Sequence, residues 1–304
     1  MAAVESEVLR RSLPPGGTTG YWLADDGWRL RVGVWPDGAR GTLLLLNGRA
    51  DFFEKYCEAI WHWRARGWAV VAPDWRGQGG SGRIVCDGRG DGFARLAADL
   101  RGVVARAAAL GGPLVAVGHS MGGHLLLRAI VEGEDRVARA VLIAPMLGLL
   151  GGEATSAVAW GAVRLGLGAR MVAPRAARSP EEDARRAARL TSDSARQTDE
   201  AWWLARHPEL AGDGVSWGWL AVACGSIARL GAGGRIARPE RVRAVLAGAD
   251  RVVDRGAARR LIARRIGAEG MLDDVPGAEH ELLRETDAVR ARVFACMDTY
   301  LEQA

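Results

Sequence analysis

A series of short apolar runs constrains this chain more than any other feature. They are "WRLRVGVW" (28–35), "GTLLLLNG" (41–48), "GWAVVAPDW" (67–75), "PLVAVGHS" (113–120), "RAVLIAP" (139–145) and "RVRAVLAGAD" (241–250). The first alternates and predicts an early antiparallel strand. The others are nearly continuous, as parallel strands covered on both faces must be. Helical patterns fall between them. In "DFFEKYCEAIWHWRARG" (51–67) the residues Phe53, Tyr56, Cys57, Ile60 and Trp63 recur at three- and four-residue spacing. "FARLAADLRGVVARAAALGG" (93–112) is rich in Ala and Leu until Gly111 and Gly112 stop it. Strands alternating with helices predict an α/β fold: a mainly parallel central sheet with helices on both faces.

The alternation lapses between Leu147 and Arg238. That stretch holds helical patterns, tryptophans at 160, 202, 203, 217 and 219, and no convincing strand. It is too long for a loop. It predicts a helical cap inserted between two core strands, with residues 1–147 as the first part of the core, 148–238 as the cap and 239–304 as the second part.

Composition narrows the function classes. At 304 residues, 49% hydrophobic and 25% charged, the chain can bury a substantial core. The net charge of +5 raises the question of nucleic acid. Its positive residues are arginines, with Lys55 the only lysine, and they are interspersed with acids, as in "EEDARRAARLTSD" (181–193). No basic block forms, so no nucleic-acid partner is expected, while peripheral contact with an anionic membrane is compatible with the balance. Cys57, Cys86, Cys224 and Cys296 lack metal-site spacing and suit packing as reduced thiols. The N-terminal stretch has no apolar signal region and no segment reaches a membrane span, which predicts a cytoplasmic protein.

The run "AVGHSMGGHLL" (116–126) places three glycines, two histidines and a serine where a strand passes into a helix. Within it "GHSMG" (118–122) fits G-x-S-x-G. A nucleophile on so sharp a turn needs small neighbours, which Gly118, Gly122 and Gly123 supply, and Ser120 would stand at the helix N-terminus. A serine nucleophile needs a base, and the base an orienting acid. "LAGADRVVD" ends a strand at Asp250, and "VPGAEHELL" carries His280 after a further short extended run. Asp254 is the rival acid, disfavoured because it lies four residues past the strand end. His62 and His207 fall in helical patterns, and His119 and His124 are too near Ser120 in sequence to serve as its base.

In these segments the chain resembles α/β-hydrolases of the monoacylglycerol lipase and bacterial lysophospholipase branch. "LLLLNGRADFFEKY" is similar to that branch's oxyanion segment, "DWRGQGGSGR" to its Asp-x-Arg-Gly-x-Gly-x-Ser stretch and "GHSMGG" to its nucleophile elbow. "GADRVVD" and "GAEHELLRE" resemble its acid and histidine segments, and "LTSDSARQTDEAWWLARHPEL" and "VSWGWL" its cap. The chain departs at Asn47-Gly48, where many relatives have His-Gly. Carried over by position, the resemblance implies oxyanion donors at the backbone N–H groups of Arg49 and Met121, and a reaction on fatty-acyl esters without metal or cofactor. Alternatives on the same triad are an aminopeptidase, for which Glu181, Glu182 or Asp183 would hold the substrate amine, and a carbon–carbon hydrolase. A ligand-binding protein on the hydrolase scaffold is the alternative outside catalysis. Trp202, Trp203, Trp217 and Trp219 are expected either to pack the cap or to line an acyl pocket.

Two further patterns carry no cofactor expectation. "GQGGSG" (77–82) matches a dinucleotide fingerprint but opens no helix, so it predicts a structured turn in which Asp74 holds backbone. "DGRGDG" (87–92) lacks the ligands of a calcium loop, with Arg89 at a ligand position and Ala98 in place of the glutamate.

Overall fold

The continuous apolar runs form the middle of an eight-stranded sheet in the computed structural model, which describes residues 2–172, 179–212 and 214–304. Its strands are β1 (Thr18–Leu23), β2 (Arg29–Trp35), β3 (Thr42–Leu46), β4 (Ala69–Pro73), β5 (Leu114–His119), β6 (Val137–Ile143), β7 (Val242–Ala247) and β8 (Met271–Val275), in the order β1-β2-β4-β3-β5-β6-β7-β8. β1 pairs with β2 and β2 with β4 antiparallel; the remaining pairs are parallel. The period of two explains the unbroken apolar strands. Leu44, Leu46 and Ala116 face one apolar layer, and Leu43, Leu45, Val115 and Val117 the other.

Helices cover both faces. On one side pack α3 (Gly92–Ala108), α4 (Met121–Val131) and α10 (Arg255–Arg265); on the other α2 (Cys57–Ala65) and α11 (Asp287–Leu301). The helical pattern at 51–67 is divided: a 3-10 turn at Phe53–Tyr56 leads into α2. Two elements carry no clear sequence signal. α1 (Ala2–Arg11) precedes the sheet, and β1 is a mostly exposed edge strand with Thr18, Thr19 and Gly20 in place of an apolar run.

Between β6 and β7 the chain inserts α5 (Gly152–Arg164), α6 (Pro180–Leu190), α7 (Ser194–Gln197), α8 (Asp199–Arg206) and α9 (Trp217–Gly231). Of the cap expected at 148–238, positions 173–178 and 213 lie outside the described residues. Cys57 is buried and the other three cysteines are half-buried, all unpaired. Among the described residues no helix is long and apolar enough to cross a membrane.

Candidate active site

Ser120 sits between β5 and α4 with φ 51° and ψ −113°, a left-handed backbone that L-residues avoid. Three glycines make this turn sterically possible. A Cβ on Gly118 would lie 2.7 Å from the Gly122 carbonyl oxygen, one on Gly122 2.5 Å from that of Leu46, and one on Gly123 2.8 Å from that of Gly118. The strain is held from outside: Ser120 N–H donates to the Ile143 carbonyl at 2.9 Å, and Met146 N–H donates to the Ser120 carbonyl at 3.0 Å. Backbone strain of this kind costs about 1–3 kcal/mol and persists only where neighbours enforce it.

The structure brings three of the sequence-expected residues together. His280 Nε2 lies 2.9 Å from Ser120 Oγ, and His280 Nδ1 lies 2.7 Å from Asp250 Oδ2. Asp250 is reached by a short loop after β7, where Gly248 N–H donates to the Val275 carbonyl and Ala249 N–H to the Ala278 carbonyl. Its second oxygen accepts the N–H groups of Val252 (2.8 Å) and Val253 (3.0 Å). Burial would raise the Asp250 pKa; its hydrogen bond to His280, the imidazole's charge and the two backbone donors outweigh that and hold it below the ordinary value. Asp254 serves the helix instead: its carboxylate accepts from Ala257 N–H at 2.8 Å and caps α10.

The turn carrying Arg49 packs against the elbow, since Gly122 closes on both the Leu46 and Asn47 carbonyls. On either side of Arg49, Gly48 N–H donates to Asp51 (3.1 Å) and Ala50 N–H to Gln78 Oε1. The Arg49 side chain reaches the inserted segment, donating to the Gly214 carbonyl and lying 4.7 Å above the Trp219 ring. Met121 is the first residue of α4, where backbone N–H groups lie free of intrahelical partners. Asn47, the departure from His-Gly, donates to the Pro73 carbonyl (3.3 Å) and Asp74 (3.4 Å). Asp74 also accepts from Phe53 N–H and Gly80 N–H, so "GQGGSG" is a turn ordered by a buried carboxylate. Asp91 of "DGRGDG" caps α3 and pairs with Arg128 at 3.1 Å.

The remaining histidines are spoken for. His119 lies 2.9 Å from the Tyr56 hydroxyl and 3.3 Å from the His280 carbonyl, and burial, with the neighbouring His280, lowers its pKa to about 4. His124 lies between the Met146 carbonyl and Ser226 of α9, its pKa lowered by burial to about 3. His62 stacks on Phe294 beside Asp298, and His207 lies exposed beside Glu209.

A cavity of about 240 Å³ opens beside the Arg49 turn. Arg49, Ala50, Phe93, Met171, Trp219 and Val222 line it among others, apolar surface predominating. The tryptophans separate here. Trp219 lines this cavity, whereas Trp203 packs with Phe52, Cys57 and Leu210, and Trp202 lies between Arg11 and Arg206. Nothing local in the sequence distinguishes these three. Sequence reasoning also passed over Lys55, whose ammonium is completely buried within reach of three carboxylates. Its solitude among arginines was the available signal.

Comparison with known proteins places this geometry in context. Residues 37–287 match the family described as Serine aminopeptidase, S33. A probable lysophospholipase L2 of Haemophilus influenzae is 30% identical over 121 residues, a stretch covering 38% of this chain and 39% of that protein. Among solved structures, a soluble variant of the Saccharomyces cerevisiae monoglyceride lipase, in complex with a substrate analog, superposes with TM-score 0.71 at 20% identity, covering 97% of each chain. The Paleococcus ferrophilus monoacylglycerol lipase gives 0.67 at 18% identity, covering 90% of this chain and 99% of its own.

Proposed function

The chain belongs to the Serine aminopeptidase, S33 family and has the α/β-hydrolase fold, and from that premise we propose that it is a serine carboxylic-ester hydrolase acting on fatty-acyl esters of the lysophospholipid or monoacylglycerol class. The observation that carries the reading is the hydrogen-bonded line from Ser120 through His280 to Asp250 on a strained elbow. Ser120 Oγ attacks the ester carbonyl as its proton passes to His280 Nε2. Asp250 fixes the imidazole tautomer and stabilises the charged ring. The oxyanion accepts the N–H groups of Arg49 and Met121, as the turn packed on the elbow and the N-terminus of α4 support. His280 then protonates the departing alcohol, leaving an acyl-enzyme. Water, deprotonated by His280, attacks that ester, and its collapse releases the fatty acid and returns the proton to Ser120.

The substrate class rests on the apolar cavity beside the Arg49 turn and on the relatives, two of them named lipases and one a lysophospholipase. The helices between β6 and β7 act in this reading as the lid over the site. The family's own description favours an aminopeptidase as the second reading. Its amine-holding carboxylates find little support: Glu182 is used in a capping box with Ser179, and Glu181 and Asp183 stand exposed in the first turn of α6.

Ser120→Ala should lose fluorophosphonate labelling and nearly all ester turnover, leaving a residue on the order of 10³-fold over water. Labelling of that variant at another residue would reject the nucleophile. Asp250→Asn should cost on the order of 10⁴ in kcat, whereas Asp254→Asn should leave turnover near wild type. A panel of p-nitrophenyl esters, lysophospholipids, monoacylglycerols and aminoacyl amides decides the bond and the acyl class.

A further inference from the structure

Lys55 is the only lysine among 41 Lys and Arg residues, and its side chain is completely buried. Its Nζ donates to Asp51 Oδ1 at 2.5 Å, Glu281 Oε1 at 3.0 Å and Glu200 Oε2 at 3.1 Å. An ammonium is a compact charge with three donors on one nitrogen, whereas a guanidinium presents a planar fork. Three carboxylates converging on one nitrogen therefore call for lysine, in a chain that otherwise uses arginine everywhere.

The three acceptors come from separate parts of the chain. Asp51 follows the turn that carries Arg49, and its other oxygen accepts from Gly48 N–H (3.1 Å) and the Tyr56 hydroxyl (2.7 Å). Glu281 directly follows His280. Glu200 belongs to α8 of the insertion and also pairs with Arg186. Lys55, Asp51, Tyr56 and His119 are linked in turn, with His119 Nε2 3.3 Å from the His280 carbonyl, and Glu281 closes back on Lys55. The peptide joining His280 to Glu281 is fixed by its own N–H, which donates to the Leu190 carbonyl at 2.7 Å. Arg284 meets the second Glu281 oxygen, so the acids Asp51, Glu200 and Glu281 face the bases Lys55, Arg186 and Arg284. Burial opposes the Lys55 charge, but Asp51, Glu200 and Glu281 outweigh it and push its pKa up.

We propose that Lys55 is a positioning residue whose ammonium sets the His280 loop and the Arg49 turn at one fixed spacing about the Ser120 elbow, with α8 as the third anchor. This rests on the reading that Ser120 and His280 perform the chemistry. Lys55 itself touches neither substrate nor the reacting atoms.

The test measures kcat and KM on p-nitrophenyl acetate, per site titrated with fluorophosphonate, for Lys55→Met, Lys55→Arg and Glu281→Gln. Misplacing a reacting group by about 1 Å costs on the order of 10² in rate, so kcat of Lys55→Met should fall by about that factor while KM holds within about twofold. Lys55→Arg keeps the charge without the three-donor nitrogen and should not restore the rate; Glu281→Gln should show a smaller loss of the same kind. A lysine that only braces the fold would lower Tm and leave kcat per titrated site unchanged, or be rescued by arginine. Either result overturns the proposal. Wild-type protein offers a check without mutation. Labelling with ¹⁵N-lysine gives one side-chain ammonium resonance, which should shift when fluorophosphonate modifies Ser120. An unmoved resonance overturns the proposal even where no Lys55 variant folds. Full turnover by Ser120→Ala would instead remove the catalytic reading, and the proposal with it.

Discussion

The insertion between β6 and β7 attaches to the core in two unlike ways. Its α5/α9 half is continuous with the apolar interior: Val222, Ala223 and Leu230 of α9 belong to the same buried cluster as Leu46, Phe93 and Leu126. Its α6–α8 half is fastened by charge. α6 buries no residue at all. Arg196 of α7, 2% exposed, meets Glu58 (2.8 Å), Asp193 (2.7 Å) and Asp287 (2.6 Å) and donates to the Glu285 carbonyl. Asp199 and Glu200 of α8 pair with Arg11 and Lys55, and Ser192 donates to Glu285. The difference teaches what each fastening is for. Apolar burial is non-directional and supplies adhesion. Buried ion pairs return little net stability but tolerate few geometries, and these pairs surround residues 279–286, the loop that carries His280.

The largest expected effect comes from removing a charge at the directional half. Arg196→Ala leaves half-buried Glu58 to Arg290 (3.0 Å) and takes the guanidinium from partly buried Asp193, a loss bounded by the about 3–5 kcal/mol of a fully buried pair broken on one side. Chemical denaturation should show that loss, and hydrogen exchange should show α6–α8 opening before α9. Equal exposure of both halves would break the comparison.

Acid should act on the same half more gently. Burial would raise the Glu200 pKa, but Lys55 and Arg186 outweigh it, with Arg284 assisting and Glu281 opposing, and hold it at about 2 against an ordinary 4.5. Glu281 is likewise lowered by Lys55 and Arg284 despite its burial. A pKa depressed by folding contributes stability above the unfolded value, and that contribution is lost as pH falls through the folded one. Thermal unfolding should therefore show Glu200→Gln below wild type at neutral pH, the two converging between about pH 4.5 and 2. A gap that stays constant across that window would place the stabilisation outside the Glu200 charge.

The same contrast explains how far the sequence could be read. Continuous apolar runs disclosed β3 to β7 because burial on both faces leaves a local signature. The elbow was legible because its steric demands fall on adjacent positions, Gly118 to Gly123. β1 was not, since an exposed edge strand has no periodicity to impose. The charged fastening was not either: Lys55 lies 145 and 226 residues from two of its partners, and such pairings leave no pattern within any window. The tryptophans show the limit from the other side. The lapse in alternation announced an insertion rich in tryptophan, yet only the packed chain separates Trp219 at the cavity from Trp203 in a packing cluster.

The smallest expected effect sharpens the apolar half. Val222 is 6% exposed, belongs to the main buried cluster and also lines the cavity beside Arg49. Val222→Ala removes two methyl groups, worth about 1.5 kcal/mol of burial at roughly 0.8 kcal/mol each. Because α9 adheres without fixing angles, the loss should appear in the denaturation midpoint and leave the His280 loop in place. Acetyl ester turnover should then fall less than octanoyl turnover, since only the longer chain reaches the lost wall. One methylene's worth of lost contact is about fourfold in kcat/KM, which sets the expected change in the octanoyl-to-acetyl ratio. Suppose instead that acetyl and octanoyl fell together, as they should in Arg196→Ala through the disturbed histidine loop. The apolar half would then be positioning the reacting groups too, and the division between adhesion and alignment would not hold.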